Sequence, residues 1–291
     1  MSGAPRILPW TAALSLALSA SAASVAPLLQ DAPPELGRAA SAPPAAGDPL
    51  LDGAVRLLMR GGFREAEELA RTALARDAAN DRAAAVLGVA LSKQKRYTEA
   101  RAWLERARDS SANFPERRHA AHFLGWCCYH LGDLAAARVA FERHLEAMPD
   151  EPDSTFGLGL VALDEDRLDD AERHFTKSLE GFRALARGGA PRGVDEAKVL
   201  TRLGDVALRR DDPAGAKRFL EEAIRASAVQ HETWSKMARV CDRLGEHAAA
   251  DAARGNAERI LEALGRRERQ RADEQGATKE SAPESAQEQR P

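Results

Sequence analysis

The residues that could carry chemistry in this 291-residue chain are a group of histidines, two adjacent cysteines and several carboxylate pairs. His119 and His122 are three residues apart, which on a helix places both rings on one face, where they could chelate a metal ion together. His130 lies about 12 Å further along such a helix and cannot join them. Because no carboxylate is in register with this pair, the pattern favours solvated or partner-facing histidines over a metal site.

The cysteines and carboxylates also favour structural roles. The side chains of Cys127 and Cys128 would diverge by about 100° on a helix, so they do not pair with each other, and buried structural thiols are the better interpretation. Carboxylate pairs such as Asp169 and Asp170 fall at helix starts, where negative charge is favourable without any catalytic role. The sequence contains no nucleophile elbow, phosphate loop, dinucleotide fingerprint or zinc-protease motif. We therefore predict that the protein is not an enzyme and uses no metal and no cofactor.

The overall composition is that of a water-soluble, helical protein. Hydrophobic residues make up 44% of the chain and charged residues 30%, which is typical of a globular fold. The sequence is rich in alanine, the best helix former, and this predicts an all-α fold. The formal net charge of −3 gives no basic surplus, so we expect no nucleic-acid partner.

The N-terminus resembles a secretory signal peptide. Arg6 precedes an apolar run that ends near Ala20, and small residues at Ala20 and Ala22 suit cleavage after Ala22. We predict a signal peptide over residues 1–22 and an exported protein, periplasmic or secreted, with no stable membrane span after cleavage. The alternative is an uncleaved N-terminal membrane anchor, although the run is weakly apolar for a full span.

Two segments of low complexity flank the rest of the chain. Residues 23–46 are rich in alanine, proline and serine and predict a flexible linker. Residues 265–291 are rich in arginine, glutamate and glutamine without an apolar period, and we expect this charged tail to be largely disordered.

Between these segments, residues 47–264 repeat with a period of 34 residues. The six repeats share a small residue at the eighth position and alanine at the twentieth, and most have a large apolar residue at the twenty-fourth. They span residues 47–80, 81–114, 118–151, 152–185, 197–230 and 231–264. Two helices approach closely only where their contact residues are small, so the pattern predicts paired antiparallel helices with contacts at the eighth and twentieth positions.

This pattern resembles the tetratricopeptide repeat (TPR) family. The third repeat carries the motif most fully, with Leu124, Gly125, Tyr129, Gly132, Ala137, Phe141 and Pro149. The resemblance implies a right-handed α-solenoid of about six helix-turn-helix repeats with disordered ends. It also implies a non-enzymatic scaffold whose concave groove binds a segment of a protein or peptide.

In this family the second, fifth, ninth, twelfth and thirteenth residues of each repeat line the groove. Carried onto this sequence, the candidate partner-binding residues are His119, His122, Trp126, Tyr129, His130, Phe156, Leu160, Arg209, Arg239 and Arg243. Aromatic and apolar residues of the third and fourth repeats would provide affinity, and charged residues of the fifth and sixth would orient the partner. The alternative is that Trp126 and Phe156 pack on one another as core between adjacent repeats.

The first repeat is apolar at the same positions, which are occupied by Leu51, Val55, Leu58 and Met59. An exposed stripe of this kind does not stay bare in water. It predicts a second interface, and with it the alternative function of an oligomerising component of a cell-envelope assembly, in which a second copy of the chain covers this face. A shift of the repeat frame by one residue would instead place the stripe in the core.

Overall fold

A computed structural model describes residues 48–189 and 193–280, with only the backbone described for residues 271–280. These residues form twelve helices and no strand, which confirms the predicted all-α solenoid. The predicted signal peptide and the linker over residues 23–46 lie outside the described residues, as do residues 281–291 of the tail. The described chain divides into two compact units, up to Gly189 and from Ala190 onward.

Unit 1, the residues up to Gly189, contains four helical pairs. They are α1 Pro49–Arg60 with α2 Phe63–Arg76, α3 Asp81–Lys93 with α4 Tyr97–Asp109, α5 Arg117–His130 with α6 Leu134–Ala147, and α7 Pro152–Asp164 with α8 Leu168–Arg187. Consecutive helices pack on one another, and the first helices of neighbouring repeats also touch, α1 with α3, α3 with α5 and α5 with α7. The short turns make each pair antiparallel, so unit 1 is a stack of four hairpins.

Unit 2 contains two further pairs. They are α9 Gly193–Arg209 with α10 Pro213–Ala226, and α11 His231–Arg243 with α12 His247–Glu280. α12 continues past residue 264, so residues 265–280 are helical within the segment expected to be largely disordered. Arginine, glutamate, glutamine and alanine are favourable in helices, and no proline interrupts this stretch. No helix in the described part of the chain is both long and apolar enough to cross a membrane.

Side chains at the turns determine where several helices begin. The carboxylate or amide oxygens of Asn80, Asp133 and Asp212 accept hydrogen bonds from backbone N–H groups three residues further on, at 2.9, 3.1 and 2.8 Å. These side-chain caps accept hydrogen bonds from backbone N–H groups that have no partner within the first turn of a helix. Gly61 ends α1 with φ of 83°, a left-handed conformation that glycine adopts without steric cost.

In four of the six hairpins, the core contains a contact between a glycine and a large side chain. A Cβ atom on Gly125 would lie 2.6 Å from the ring of Phe141, and one on Gly159 would lie 2.5 Å from the ring of Phe175. The glycine is the eighth residue of its repeat and the ring is the twenty-fourth. The two helices therefore approach each other closely at the eighth position, as predicted. The side chain that packs against the glycine there is the large twenty-fourth residue.

Phe141 also joins the third hairpin to the fourth. A Cβ atom on Gly157 of α7 would lie 2.5 Å from Cζ of Phe141, whose side chain is fully buried. One ring therefore fills the space left by glycines on two helices, Gly125 on α5 and Gly157 on α7.

We expect Gly157→Ala to destabilise the protein by about 1–3 kcal/mol, because the added methyl group overlaps the Phe141 ring in a closed core. This loss opposes the gain of about 1 kcal/mol that alanine has over glycine in a helix interior. Urea unfolding followed by circular dichroism measures the change. Gly255→Ala on α12 is the matched control: no heavy atom lies within 4 Å of its added Cβ, so only the stabilising term remains. Equal effects of the two substitutions would show that the space around Phe141 is not closed.

Candidate partner-binding groove

The residues predicted to line the groove do not share one environment. His119 and His122 are buried, with 5% and 2% of their surface exposed, and Leu160 is also buried. The prediction that these three face a partner is wrong, because side chains buried to this extent offer a partner almost no surface. Trp126 and Phe156 are half-buried, and His130 is exposed.

The apolar stripe of the first repeat is mostly core. Leu51 and Leu58 belong to the buried cluster that α1 forms with its neighbours, while Val55 is half-buried against that cluster and Met59 is half-buried. The predicted second interface is therefore wrong at Leu51 and Leu58, which lie in the core as the alternative held, whereas Val55 and Met59 remain partly exposed.

The buried histidines belong to a polar cluster that the sequence analysis only partly identified. His144 of α6 lies beside them, with its ring centroid 5.2 Å from that of His122 and 6.0 Å from that of His119. The hydroxyl oxygen of Ser154 on α7 lies 2.8 Å from Nδ1 of His122 and 2.8 Å from Nδ1 of His144. The signal that could have found His144 is its spacing, since it follows the buried Phe141 by three residues on the same helix face.

The chemistry of Asp153 determines how the protons in this cluster are arranged. Nε2 of His122 lies 3.3 Å from Oδ2 of Asp153, and an ionised carboxylate only accepts, so we infer the tautomer that carries its hydrogen on this nitrogen. Nδ1 of His122 then accepts from the Ser154 hydroxyl, which in turn accepts from Nδ1–H of His144. Nε2 of His144 is left as a buried nitrogen with no hydrogen-bond partner among the described residues.

Burial keeps all three histidines neutral. It lowers the pKa of His119 to about 4 and the pKa values of His122 and His144 to about 3, and the positive charges nearby act in the same direction. Among the described residues, no group of three or more histidine, cysteine, aspartate or glutamate side chains is arranged to hold a metal ion. The cluster therefore acts as a polar part of the core between α5, α6 and α7.

The three cysteines are also buried and free. Burial raises the pKa of Cys127 to about 11, so its sulfur stays protonated and unreactive at neutral pH.

Four side chains form what we call the aromatic surface: Trp126, Tyr129, His130 and Phe156. The Trp126 ring stands nearly perpendicular to that of Phe141, with centroids 5.3 Å apart, and its centroid is 6.3 Å from that of Phe156. Trp126 and Phe156 therefore pack together between α5 and α7, as one alternative proposed. Both remain partly exposed, so packing between repeats and a role at the surface are compatible.

Carboxylates of α7 fix the polar ends of these rings. Nε1–H of Trp126 donates to Oδ2 of Asp153 at 3.1 Å, and the Tyr129 hydroxyl donates to Oδ2 of Asp164 at 2.9 Å. On the other side, His130 stacks on Tyr97 of α4 with centroids 4.5 Å apart. The rings are thus held in place before any ligand arrives, which lowers the entropy cost of binding.

Unit 2 places its predicted groove arginines at the surface. Arg209, Arg239 and Arg243 are exposed, and Arg243 pairs with Asp211. The sequence analysis missed a more ordered feature, an alternating network that links α9 to α11. Its ion pairs are Arg202–Asp205, Arg202–Glu232, Lys236–Glu232 and Lys236–Asp205. These four charges are satisfied by one another, which indicates a structural role.

The buried histidines predict a specific dependence of stability on pH. An unfolded histidine has a pKa near 6.5, so below that pH the unfolded chain binds protons that the folded cluster does not. Stability is therefore fully present above about pH 6.5 and falls as the pH is lowered towards 4. Each neutral histidine contributes a slope of about 1.4 kcal/mol per pH unit.

We expect His144→Gln to make this slope shallower by the contribution of one proton, because glutamine keeps a donor for Ser154 but does not titrate. The free energy of urea unfolding, measured between about pH 7 and pH 4.5 for both proteins, gives the two slopes. Carboxylates contribute equally to both proteins and cancel in the comparison. An unchanged slope would mean that His144 is accessible to protons in the folded state.

Comparison with known proteins agrees with this architecture. The tetratricopeptide repeat family matches residues 81–150, which form α3 to α6, and residues 197–222, which lie in α9 and α10. No curated protein matches the sequence of the chain.

Solved structures share the fold at low sequence identity. The chain resembles the anaphase-promoting complex assembly Cut9–Hcn1 with a TM-score of 0.61 and 16% identity, over 72% of this chain but only 39% of that one. It resembles PilF of Pseudomonas aeruginosa with a TM-score of 0.55 and 17% identity, over 70% and 87% of the two chains. It also resembles YrrB, described as a TPR protein with an unusual peptide-binding site, with a TM-score of 0.50 and 19% identity, over 64% and 88%. With the helical hairpins, the glycine contacts and the solved structures in agreement, the two matched segments are tetratricopeptide repeats within a TPR-type helical fold.

Proposed function

We propose that this protein is a non-enzymatic scaffold that binds an extended segment of a protein partner on the aromatic surface of unit 1. The observation that carries the proposal is the fixed position of two partly exposed rings, Trp126 and Tyr129, which are held by Asp153 and Asp164. Tryptophan and tyrosine are the side chains that most often dominate binding energy at protein interfaces. Rings held in advance lose little freedom when a ligand arrives.

The fold supports the same function. TPR proteins bind proteins or peptides, and YrrB is described as having a peptide-binding site. The alternative of an oligomerising envelope component depended on an exposed apolar face in the first repeat. Because Leu51 and Leu58 are core, that face gives this alternative no support.

We also propose that the protein acts outside the cytoplasm. The support is the sequence of residues 1–22, where Arg6, the apolar run and the small residues before Ala22 fit a cleaved signal peptide. Anchorage by an uncleaved N-terminal segment is the second candidate, and N-terminal sequencing of the native protein distinguishes the two.

Trp126→Ala tests the binding surface. A random peptide library displayed on phage is selected on the purified protein, and the selected peptides are then measured by fluorescence anisotropy. We expect their affinity to fall at least tenfold on Trp126→Ala, since a central aromatic anchor commonly contributes about 2 kcal/mol or more. Circular dichroism establishes that the variant is folded, and the milder Tyr129→Ala is measured if it is not.

Trp103→Ala is the matched control. Trp103 is also a half-buried tryptophan, but it lies on α4, the second helix of its hairpin, and packs against Arg106. We expect the selected peptides to bind this variant within about twofold of the original affinity. Equal losses in both tryptophan variants, or none in Trp126→Ala, would contradict the proposed site.

A further inference from the structure

The two sides of the aromatic surface carry opposite charge. On the α3 side, the ammonium group of Lys93 lies 5.1 Å from the centroid of the Phe123 ring on α5. Lys95, in the turn after α3, is exposed, and its charge lowers the pKa of His130 together with the burial of that ring. Two lysines therefore border α5 on this side.

Arg82, at the start of α3, does not add to this positive border. Its guanidinium lies 2.7 Å from Asp52 and 3.0 Å from Glu116, so it is flanked by two carboxylates. The two lysines that border α5, Lys93 and Lys95, therefore lie at the C-terminal end of α3.

The α7 side of the surface is negative. α7 contains no lysine, arginine or histidine, and its two aspartates, Asp153 and Asp164, contact the polar ends of Trp126 and Tyr129. Asp164 is exposed, and 37% of the Asp153 side chain is exposed, so both carboxylates are accessible beside the rings. An aromatic face next to a carboxylate favours a lysine or arginine of a ligand.

We infer that the groove of unit 1 selects an extended segment of opposite charge at its two ends. An acidic side chain would lie against Lys93 and Lys95, and a lysine or arginine against Asp164, with apolar side chains on the rings between them. This inference rests on the proposed function, because it names the chemistry of the partner that the aromatic surface binds. Charges at the rim of an interface act mainly on partner selection and association rate.

The stacking of the repeats determines the spacing of the two charges. Packed helices lie about 8–10 Å apart, so α3 and α7, on either side of α5, are about 20 Å apart. An extended chain advances about 3.3 Å per residue, so the acidic and the basic side chain of the ligand would be about six positions apart in its sequence.

Three synthetic peptides with blocked ends test the inference. They share a core of about six leucine, proline and alanine residues and differ in the flanking pairs. The first has Glu-Glu at one end and Lys-Lys at the other, the second has Glu-Glu at both ends, and the third has Lys-Lys at both ends. We expect the mixed peptide to bind about tenfold more tightly than either other peptide at low ionic strength. The difference should shrink in about 1 M salt, where the Debye length falls to about 3 Å.

Reversing the charge on the α7 side and on the α3 side of the surface should change the preference among the three peptides in opposite directions. Asp164→Lys should shift it towards the all-glutamate peptide. The double variant Lys93→Glu/Lys95→Asp should shift it towards the all-lysine peptide. Aspartate is chosen at position 95 because the backbone there has φ of 63°, which aspartate tolerates better than most residues.

The outcomes separate the two proposals. If the three peptides bind with equal affinity and all weaken on Trp126→Ala, the charge inference is wrong and the proposed binding surface stands. If they bind equally well to wild type and Trp126→Ala, the proposed surface is wrong. Failure of all three peptides to bind at about millimolar concentration would overturn both.

Discussion

The packing of the helical hairpins depends on one kind of contact. In four of the six repeats, a large side chain of the second helix fills the space that a glycine of the first helix leaves by having no Cβ. Four repeats pair a glycine with leucine or phenylalanine, namely Gly88 with Leu104, Gly125 with Phe141, Gly159 with Phe175 and Gly204 with Leu220. In the first repeat both positions are alanine, Ala54 and Ala70. In the sixth, Ala238 is buried while Arg254 pairs with Asp242 and Asp251 at the surface. The eighth and twenty-fourth positions vary together because the distance between the two helices limits their combined volume.

The sequence was sufficient to predict the helical hairpins because the contacts within each hairpin are local. Small residues at fixed spacing predicted where the two helices of a repeat meet, and these contacts lie within a single 34-residue period. Side-chain exposure was harder to predict, because it depends on the next repeat. His122 occupies a groove position of the family, yet contact with Ser154 on α7 leaves it 2% exposed. Leu58 in the first repeat is likewise buried, within the apolar cluster that α1 forms with its neighbours.

The aromatic surface also combines features that one repeat determines with features that depend on the next repeat. The family pattern assigned Trp126 and Tyr129 of α5 to the groove, and both side chains are partly exposed. It did not show that carboxylates from α7 hold both rings, since this requires knowing that Asp153 and Asp164 lie opposite them. The pattern treated packing between repeats and binding as alternatives. The structure shows that packing against Phe141 and Phe156 orients the Trp126 ring while part of it remains exposed.

Asp153 connects this surface to the core beneath it. Its Oδ2 accepts from Trp126 and lies at the end of a hydrogen-bonded chain that runs through His122 and Ser154 to His144. The same carboxylate therefore fixes a ring at the surface and sets the proton arrangement of a buried cluster. Substitution of Asp153 would change stability and ring position together, because the hydrogen-bonded series of His122, Ser154 and His144 would lose the carboxylate at its end. Tyr129 and Asp164 lie outside this chain, so they are the positions at which the chemistry of the surface can change while the packing of α5 on α7 is retained.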